Sequence, residues 1–155
     1  MTGVDDNDSP AHNRVIIFDF DGVIADSLEA YFPVFQACCI ELGFTGPTNM
    51  DSFLDVFDSN AVKGLIKAGV PFYRLRQLSR RLAPRVAALN EFVQPFPGIP
   101  DLVNTLQKHH PVYVVTSNVT EATALFMDRH EMAGLEDVIG ADRQASKVKK
   151  IRRIG

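Results

Sequence analysis

Runs of apolar residues separated by short polar segments predict strands and helices that alternate along this chain. Residues 15–18 form an unbroken β-branched and aromatic run, which is typical of a strand covered on both faces. Residues 112–115 predict a second buried strand, and residues 138–141 predict a weaker third strand. Strands that alternate with helices indicate a parallel sheet in an α/β layer fold.

The segment between the first two strands has the apolar spacing of helices. Asp26, with Glu29 three residues later, predicts the start of one helix, and Pro71 introduces another. Residues 45–69 are interrupted by proline and glycine and predict only short helical pieces. The apolar faces of the two longer helices are Leu28, Phe32, Phe35, Cys39 and Leu42, and then Leu75, Leu78, Leu82, Val86 and Leu89. An all-helical insert is therefore predicted over residues 28–93.

Three further helices are predicted after the proline-rich turn at residues 95–100. The inward face of the first comprises Leu102, Val103 and Leu106. Thr120 is expected to cap the second, which runs to about His130. The third is basic and begins near Ser146. Its inward face is expected to comprise Val148, Ile151 and Ile154.

Composition and charge narrow the class of protein. A chain of 155 residues with 46% hydrophobic content can bury the core of one domain with an insertion. The formal net charge of −3 argues against nucleic acid or an anionic membrane as the main partner. No apolar run approaches the roughly 18 residues of a spanning helix, and the N-terminus lacks a signal-peptide layout. Because the adjacent Cys38 and Cys39 suggest a reducing compartment, a cytoplasmic protein is expected.

Polar side chains follow the first two predicted strands at the points where those strands end. Asp19 and Asp21 follow the first strand, and Gly22 then allows a tight turn. The residues that follow the second strand are Thr116, Ser117 and Asn118. Ligands of open parallel sheets bind beyond the carboxyl ends of the strands, so these side chains are expected to converge. Two carboxylates there suit Mg²⁺: one would hold the metal and attack, and its neighbour would move a proton.

Residues 15–27 resemble the first motif of the haloacid dehalogenase-like superfamily, most closely that of its phosphoglycolate phosphatase-type members. The resemblance continues through residues 97–100, through the second motif at 114–118 and through the third at 146–150. It implies a Rossmann-like parallel sheet with helices on both faces, in which the helical insert is a cap that closes over substrate. The expected domains are a disordered tail at 1–13, an α/β core at 14–27 and 94–155, and the cap at 28–93.

By position, the resemblance implies a role for each polar residue at the strand ends. Asp19 would be the nucleophile that forms an aspartyl-phosphate, Asp21 would donate and then accept a proton, and both would bind Mg²⁺. The residues expected to bind the substrate are Thr116, Ser117, Asn118 and Lys147. Lys147 would neutralise charge on Asp19 and on the transferred group. Lys149 and Lys150 are close by, but the apolar pattern of the helix places Lys147 nearest the crevice.

The resemblance leaves the exact activity open. An aspartate at position 21 favours phosphate esters over the dehalogenating and phosphonate-cleaving branches, and a small phosphorylated metabolite is the expected partner. A phosphomutase would use the same intermediate, and a non-catalytic module would only bind phosphate or a partner. The cap arginines that could grasp a second anionic group are Arg74, Arg76, Arg80 and Arg81. The cations at 147–153 are interpreted as a solvated helix face rather than a nucleic-acid site, and the histidine spacing predicts no zinc site.

The family also has a fourth motif, a Gly-Asp followed by another aspartate on a strand after the third motif, and the sequence reaches Gly155 without one. The resemblance therefore implies a sheet truncated after its third core strand, with a weaker Mg²⁺ site. Residues 15–18 would then be an edge strand. Because an apolar unpaired edge favours association, a homodimer or a second polypeptide that completes the sheet is expected, without nucleic-acid or membrane partners.

Overall fold

The computed structural model describes residues 14–57 and 61–154, and the predicted tail at 1–13 lies outside them. Its sheet consists of β1 (Ile16–Phe18), β2 (Val112–Val115) and β3 (Asp137–Ile139). The strands lie in the order β1-β2-β3 and are all parallel. Phe18 pairs with Val114, which in turn pairs with Val138. The predicted parallel α/β sheet is confirmed, although β3 ends before Gly140 and Ala141.

Helices occupy most of the remaining described chain. They are α1 (Leu28–Glu41), α2 (Met50–Phe57), α3 (Ala61–Lys67), α4 (Leu75–Leu89), α5 (Ile99–Gln107), α6 (Thr120–Arg129) and α7 (Lys147–Ile154). A short 3₁₀ turn at Phe72–Arg74 leads into α4. Together with the parallel strands, these helices form the expected α/β, Rossmann-like fold.

The described residues divide into two compact units. The sheet unit comprises residues 14–20 and 97–154, and the helical unit comprises residues 21–96. The sheet unit contains all three strands with α5, α6 and α7, and the helical unit contains α1 to α4. The domain boundaries proposed from the sequence at 27/28 and 93/94 stay a prediction.

The core of the sheet unit is built from β2 and the helices that pack near it. Val103 of α5 and Val114 of β2 are fully buried, and Phe20 meets Phe126 of α6 edge to face with ring centroids 5.0 Å apart. The prediction that Leu102 turns inward with Val103 is wrong, because Leu102 is exposed. Adjacent helical residues lie about 100° apart, so Leu102 can face solvent while Val103 packs into the core.

The helical unit is held by two helix pairs, α1 with α4 and α2 with α3. The buried side chains of α1 include Tyr31, Phe35, Cys38 and Cys39. Phe35 contacts Phe53 of α2, with ring centroids 5.4 Å apart. The N-cap of α1 is Ser27 rather than the predicted Asp26. Ser27 makes no side-chain capping hydrogen bond, and its buried hydroxyl instead donates to Asp21.

Gly64 of α3 packs closely against the backbone of α2. An added Cβ there would lie 2.7 Å from the Cα of Val56, and a backbone atom cannot move aside easily. Alanine normally stabilises a helix relative to glycine by about 1 kcal/mol. Here the clash with Val56 should outweigh this stabilising effect of alanine. We therefore expect Gly64→Ala to lower the free energy of unfolding by about 1–3 kcal/mol. Denaturant titration measures this change, and an increase in stability would show that α2 and α3 do not pack this closely.

At one edge of the described sheet, β1 pairs with β2 and with no further strand among the described residues. Ile16, Ile17 and Phe18 are all half-buried, and Val15 before them is exposed. An apolar strand with this exposure has the properties of the predicted edge. The homodimer or second polypeptide expected to complete the sheet stays a prediction. Within the described ranges, no helix combines the length and hydropathy needed to cross a membrane.

Candidate active site

Asp19 lies directly after β1 and is held by two nitrogen donors. Its Oδ1 accepts the backbone N–H of Phe20 at 2.8 Å, and the Nζ of Lys147 donates to its Oδ2. Both side chains of this ion pair are partly exposed, 40% for Asp19 and 44% for Lys147. Exposed pairs contribute only about 0.2–1 kcal/mol to stability. The contact therefore matters more for orienting the carboxylate and balancing its charge than for stabilising the fold.

Thr116 follows β2 and is fully buried, and its polar atoms are engaged by three neighbours. Its backbone N–H donates to the carbonyl of Ile139 at 3.1 Å, and its own carbonyl accepts the Nζ of Lys150. The Thr116 Oγ1 accepts the N–H of Asn118 at 2.9 Å. Because the hydroxyl acts as an acceptor in that bond, its proton remains available for donation to an anion.

The parallel register brings Asp19 and Thr116 to the same end of two neighbouring strands. Phe18, just before Asp19, pairs with Val114, two residues before Thr116. The other two predicted residues of the second motif have different surroundings. Ser117 is exposed, and the side-chain oxygen of Asn118 accepts the N–H of Val119 at 2.9 Å. Within the sheet unit, Lys147 therefore contacts Asp19. Thr116 instead makes hydrogen bonds with the backbone of Ile139 and Asn118 and with the side chain of Lys150.

The orientation of α7 differs from the prediction. Val148 and Ile151, expected to face inward, are 58% and 48% exposed, and Lys150 is fully buried. Lys147 and Lys150 lie three residues apart, on one face of the helix, and each donates to a residue at a strand end. Apolar spacing misplaced the inward face because the strand ends beneath α7 offer oxygen acceptors rather than an apolar surface.

The buried ammonium group of Lys150 has an unusual electrostatic environment. Burial lowers the pKa of Lys150, and the positive charge of Lys147 lowers it further. The negative charges of Asp142 and Asp19 act in the opposite direction. The sequence did not predict a role for Lys150 beyond its closeness to Lys147. Its ammonium group is buried against the carbonyl of Thr116, which is distant in the sequence.

Asp21, the second predicted catalytic acid, belongs to the helical unit. The Oγ of Ser27 donates to its Oδ1 at 2.8 Å, and Ser27 is fully buried. The turn between them depends on Gly22, which has a φ of 75° and donates its N–H to the carbonyl of Ala25 at 2.9 Å. This geometry holds one oxygen of the Asp21 carboxylate. Sequence reasoning did not identify Ser27 as the partner of Asp21, although Ser27 closes the quoted first motif.

The four candidate arginines of the helical unit differ in their partners. Arg81 donates to Glu41 at 2.9 Å, together with Arg85, which sequence reasoning did not single out. Arg74 donates to Gln77 at 3.0 Å. Arg76 and Arg80 have no side-chain partner in the described part of the chain. Contact with an anionic group stays a prediction for all four arginines, because the partners of Arg74 and Arg81 lie at the exposed surface.

Asp142, in the loop after β3, connects that loop to the start of α6. Its Oδ1 accepts both the backbone N–H and the hydroxyl of Thr120, at 2.7 and 2.8 Å. The predicted cap at Thr120 is therefore wrong. Val119 is the N-cap of α6, and the carboxylate of Asp142 occupies the place of a capping side chain. The hydrogen bonds from Thr120 lower the pKa of Asp142.

This lowered pKa gives a prediction about stability and pH. A carboxyl group with a depressed pKa in the folded state stabilises the fold at pH values above its unfolded pKa, about 3.9. The contribution disappears as the pH falls through the lower folded pKa. We therefore expect Asp142→Asn to lower the melting temperature near pH 7 and to have little effect near pH 2. Thermal unfolding of both proteins across this range tests it, and a difference that grows in acid would contradict it.

The donor atoms at Asp19 allow a test of the implied magnesium ion. No cluster of three or more His, Cys, Asp or Glu side chains that could hold a metal occurs among the described residues. Mg²⁺ is often bound through one or two carboxylates, while substrate phosphate and water supply the other oxygens. The Asp19 carboxylate fits that mode of binding, and it would do so most strongly when a phosphate group is also bound.

Comparison with known proteins identifies relatives of this chain. The profile of the family described as haloacid dehalogenase-like hydrolase matches residues 16–151. A phosphoglycolate phosphatase of Synechococcus elongatus is 24% identical over 129 residues, which cover 83% of this chain and 60% of that protein. The chain therefore spans less than two thirds of the length of this relative.

Solved structures share the fold at low sequence identity. A haloacid dehalogenase-like family hydrolase from Streptococcus pneumoniae superimposes with a TM-score of 0.70 at 20% identity, over 90% of this chain and 69% of that one. CbbY from Rhodobacter sphaeroides, solved in complex with phosphate, gives a TM-score of 0.62 at 19% identity, over 85% of this chain and 65% of that one. At this level of sequence identity, the similarity shows only that the fold is shared.

Proposed function

The chain belongs to the haloacid dehalogenase-like hydrolase family, and from that premise we propose that it hydrolyses a small-molecule phosphate monoester, alone or as part of a longer enzyme. The reaction would depend on Mg²⁺ and pass through an aspartyl-phosphate on Asp19. The single observation that carries the proposal is the Lys147–Asp19 pair at the carboxyl end of β1. A carboxylate at a strand end with a cation on one oxygen is arranged for attack on an anionic group that would otherwise be repelled.

In the proposed reaction, a carboxylate oxygen of Asp19 attacks phosphorus and the bond from phosphorus to the ester oxygen breaks. Asp21 donates a proton to the departing oxygen, which leaves as an alcohol. Asp21 then takes a proton from water, which attacks the phosphorus of the aspartyl-phosphate. The bond to Asp19 breaks, and inorganic phosphate and the free carboxylate are released.

The other residues bind charge rather than react. Lys147 would offset negative charge on Asp19 and on the transferred phosphoryl group, and the Thr116 hydroxyl would donate to a phosphoryl oxygen. Ser27 would keep the Asp21 carboxylate oriented through its 2.8 Å hydrogen bond. Mg²⁺, when bound, would add positive charge at the phosphoryl oxygens.

The test is phosphate release by the 155-residue chain from p-nitrophenyl phosphate and from 2-phosphoglycolate, the latter because of the similarity to the Synechococcus protein. We expect release with Mg²⁺ and a return to background when the metal is chelated. Transfer of the phosphoryl group to a sugar instead of water would assign a phosphomutase. Calorimetry provides a second readout, with Mg²⁺ binding expected to strengthen when inorganic phosphate is present. If the chain neither releases phosphate from these esters nor binds inorganic phosphate, the proposal is wrong.

The expected location is also a proposal. Cys38 and Cys39 are both free thiols buried in α1, and burial raises the pKa of Cys39 to about 11. A buried, protonated thiol does not need an oxidising environment, and this supports a reducing compartment such as the cytoplasm.

A further inference from the structure

Lys150 is a buried cation next to the proposed phosphate-binding residue. It is 0% exposed, whereas Lys147, Lys149, Arg152 and Arg153 of the same helix are exposed. Removing an ammonium group from water is unfavourable unless it is well paired. A simple solvated helix would not bury this side chain while Val148 and Ile151 face solvent. The orientation of α7 therefore requires an explanation beyond apolar packing.

The contact made by Lys150 is with the backbone rather than with a carboxylate. Its Nζ donates to the carbonyl of Thr116, whose N–H is bound to Ile139 and whose Oγ1 is bound to the N–H of Asn118. The Thr116 backbone is thus fixed on both sides, and its hydroxyl keeps a proton that it can donate. Loss of the Lys150 contact would free the carbonyl and loosen the orientation of that hydroxyl.

Charge counting at this end of the sheet unit points to an anion. Two ammonium groups from α7 lie at the strand ends, Lys147 on Asp19 and Lys150 on Thr116, and only the first is paired with a carboxylate at hydrogen-bonding distance. The negative charges of Asp142 and Asp19 act on Lys150 without a hydrogen bond to it among the described residues. A phosphate dianion near Thr116 would therefore supply the negative charge that Lys150 lacks at hydrogen-bonding distance. Fixed charge in a buried position is screened less by salt than charge at the surface.

We propose that Lys150 is a positioning residue that orients Thr116 for a phosphoryl oxygen and supplies the buried positive charge that favours a phosphate dianion. This inference rests on the proposed function. Lys150 acts through Thr116 and takes no part in the bond-making steps at Asp19.

The experiment compares Lys150→Met with Lys149→Met in the 155-residue chain. The two substitutions make the same charge change on the same helix, but Lys149 is exposed. We expect Lys150→Met to weaken binding of inorganic phosphate, measured by calorimetry, by about tenfold, as for the loss of a hydrogen bond to a charged group. The KM for p-nitrophenyl phosphate should rise by a similar factor with a smaller change in kcat. For Lys149→Met we expect less than about a twofold change, because exposed charges are screened.

A second pair of measurements covers the case in which Lys150→Met does not fold. Lys150→Gln keeps a donor for the Thr116 carbonyl but removes the charge, and we expect intermediate phosphate affinity. In the unsubstituted chain, phosphate should shift the NMR signals of the Thr116 amide and of the Lys150 side chain. The absence of shifts at both groups, despite phosphate binding elsewhere, would overturn the inference.

The outcomes separate this inference from the proposed function. If the unsubstituted chain hydrolyses phosphate esters and Lys150→Met binds phosphate equally well, the inference is wrong and the function stands. A lower melting temperature of Lys150→Met with unchanged phosphate affinity would show a purely structural lysine and would also overturn it. If the unsubstituted chain neither binds phosphate nor releases it, both fail together.

Discussion

Asp19→Asn is expected to abolish phosphate ester hydrolysis, with a fall in kcat of about 10⁴-fold or more, since loss of a covalent nucleophile removes the whole pathway. The asparagine amide keeps the size of the side chain but is a poor nucleophile and carries no charge for Lys147 to balance. The fold should survive, because the ion pair is 40% and 44% exposed and contributes little to stability. Initial rates with p-nitrophenyl phosphate and Mg²⁺, together with a thermal melt of both proteins, measure the two effects.

The matched control for this substitution is Asp101→Asn. Asp101 is an exposed residue in the first turn of α5, in the same sheet unit, and its replacement makes the same charge change. Its rate should match that of the unsubstituted chain. If Asp19→Asn retains the rate, the covalent intermediate is wrong. If both substitutions reduce the rate equally, the effect follows from net charge rather than from the nucleophile.

Lys147→Met is expected to lower kcat by about 10²–10³-fold, the size usually found when one preorganised electrostatic contact to developing charge is removed. The methionine keeps an unbranched side chain but removes the ammonium group that contacts Asp19 Oδ2. The dianionic substrate and the Asp19 carboxylate would then repel each other. Steady-state kinetics at constant ionic strength measure the change, and the loss should appear more in kcat than in KM.

Lys149→Met also serves as the control for Lys147→Met. It lies two residues further along α7, is exposed, and its side chain makes no hydrogen bond or ion pair among the described residues. We expect its kcat to stay within about twofold of the original value, as for a screened surface charge. Equal losses from Lys147→Met and Lys149→Met would show that general positive charge on α7, and not the contact with Asp19, supports the reaction.

The strands and their polar ends could be predicted because the signal is local. An apolar run that stops at a polar residue predicts both a buried strand and the side chain at its end, and β1 with Asp19 and β2 with Thr116 follow that pattern. Parallel pairing then places both ends at one edge, as the register of Phe18 with Val114 shows. This part of the site needs no long-range information beyond the strand direction.

The partners of the site residues could not be predicted in the same way. Ser27 pairs with Asp21, and Asp142 pairs with Thr120 across 22 residues of chain. Side chains of these types are compatible with many partners, so their spacing does not identify one. Both capping predictions were wrong: the N-cap of α1 is Ser27, which makes no side-chain capping hydrogen bond, and at α6 the distant Asp142 carboxylate accepts the N–H of Thr120.

By itself, the sequence determined the α/β class, the positions of the strands and the presence of a carboxylate and a hydroxyl at neighbouring strand ends. Only the tertiary structure decided which face of α7 turns inward, with Lys150 buried and Val148 exposed. The physical reason is that strand and helix periodicity depend on residues a few positions apart. Burial of a cation depends instead on a carbonyl, that of Thr116, which lies 34 residues away in the chain and is brought close only by folding.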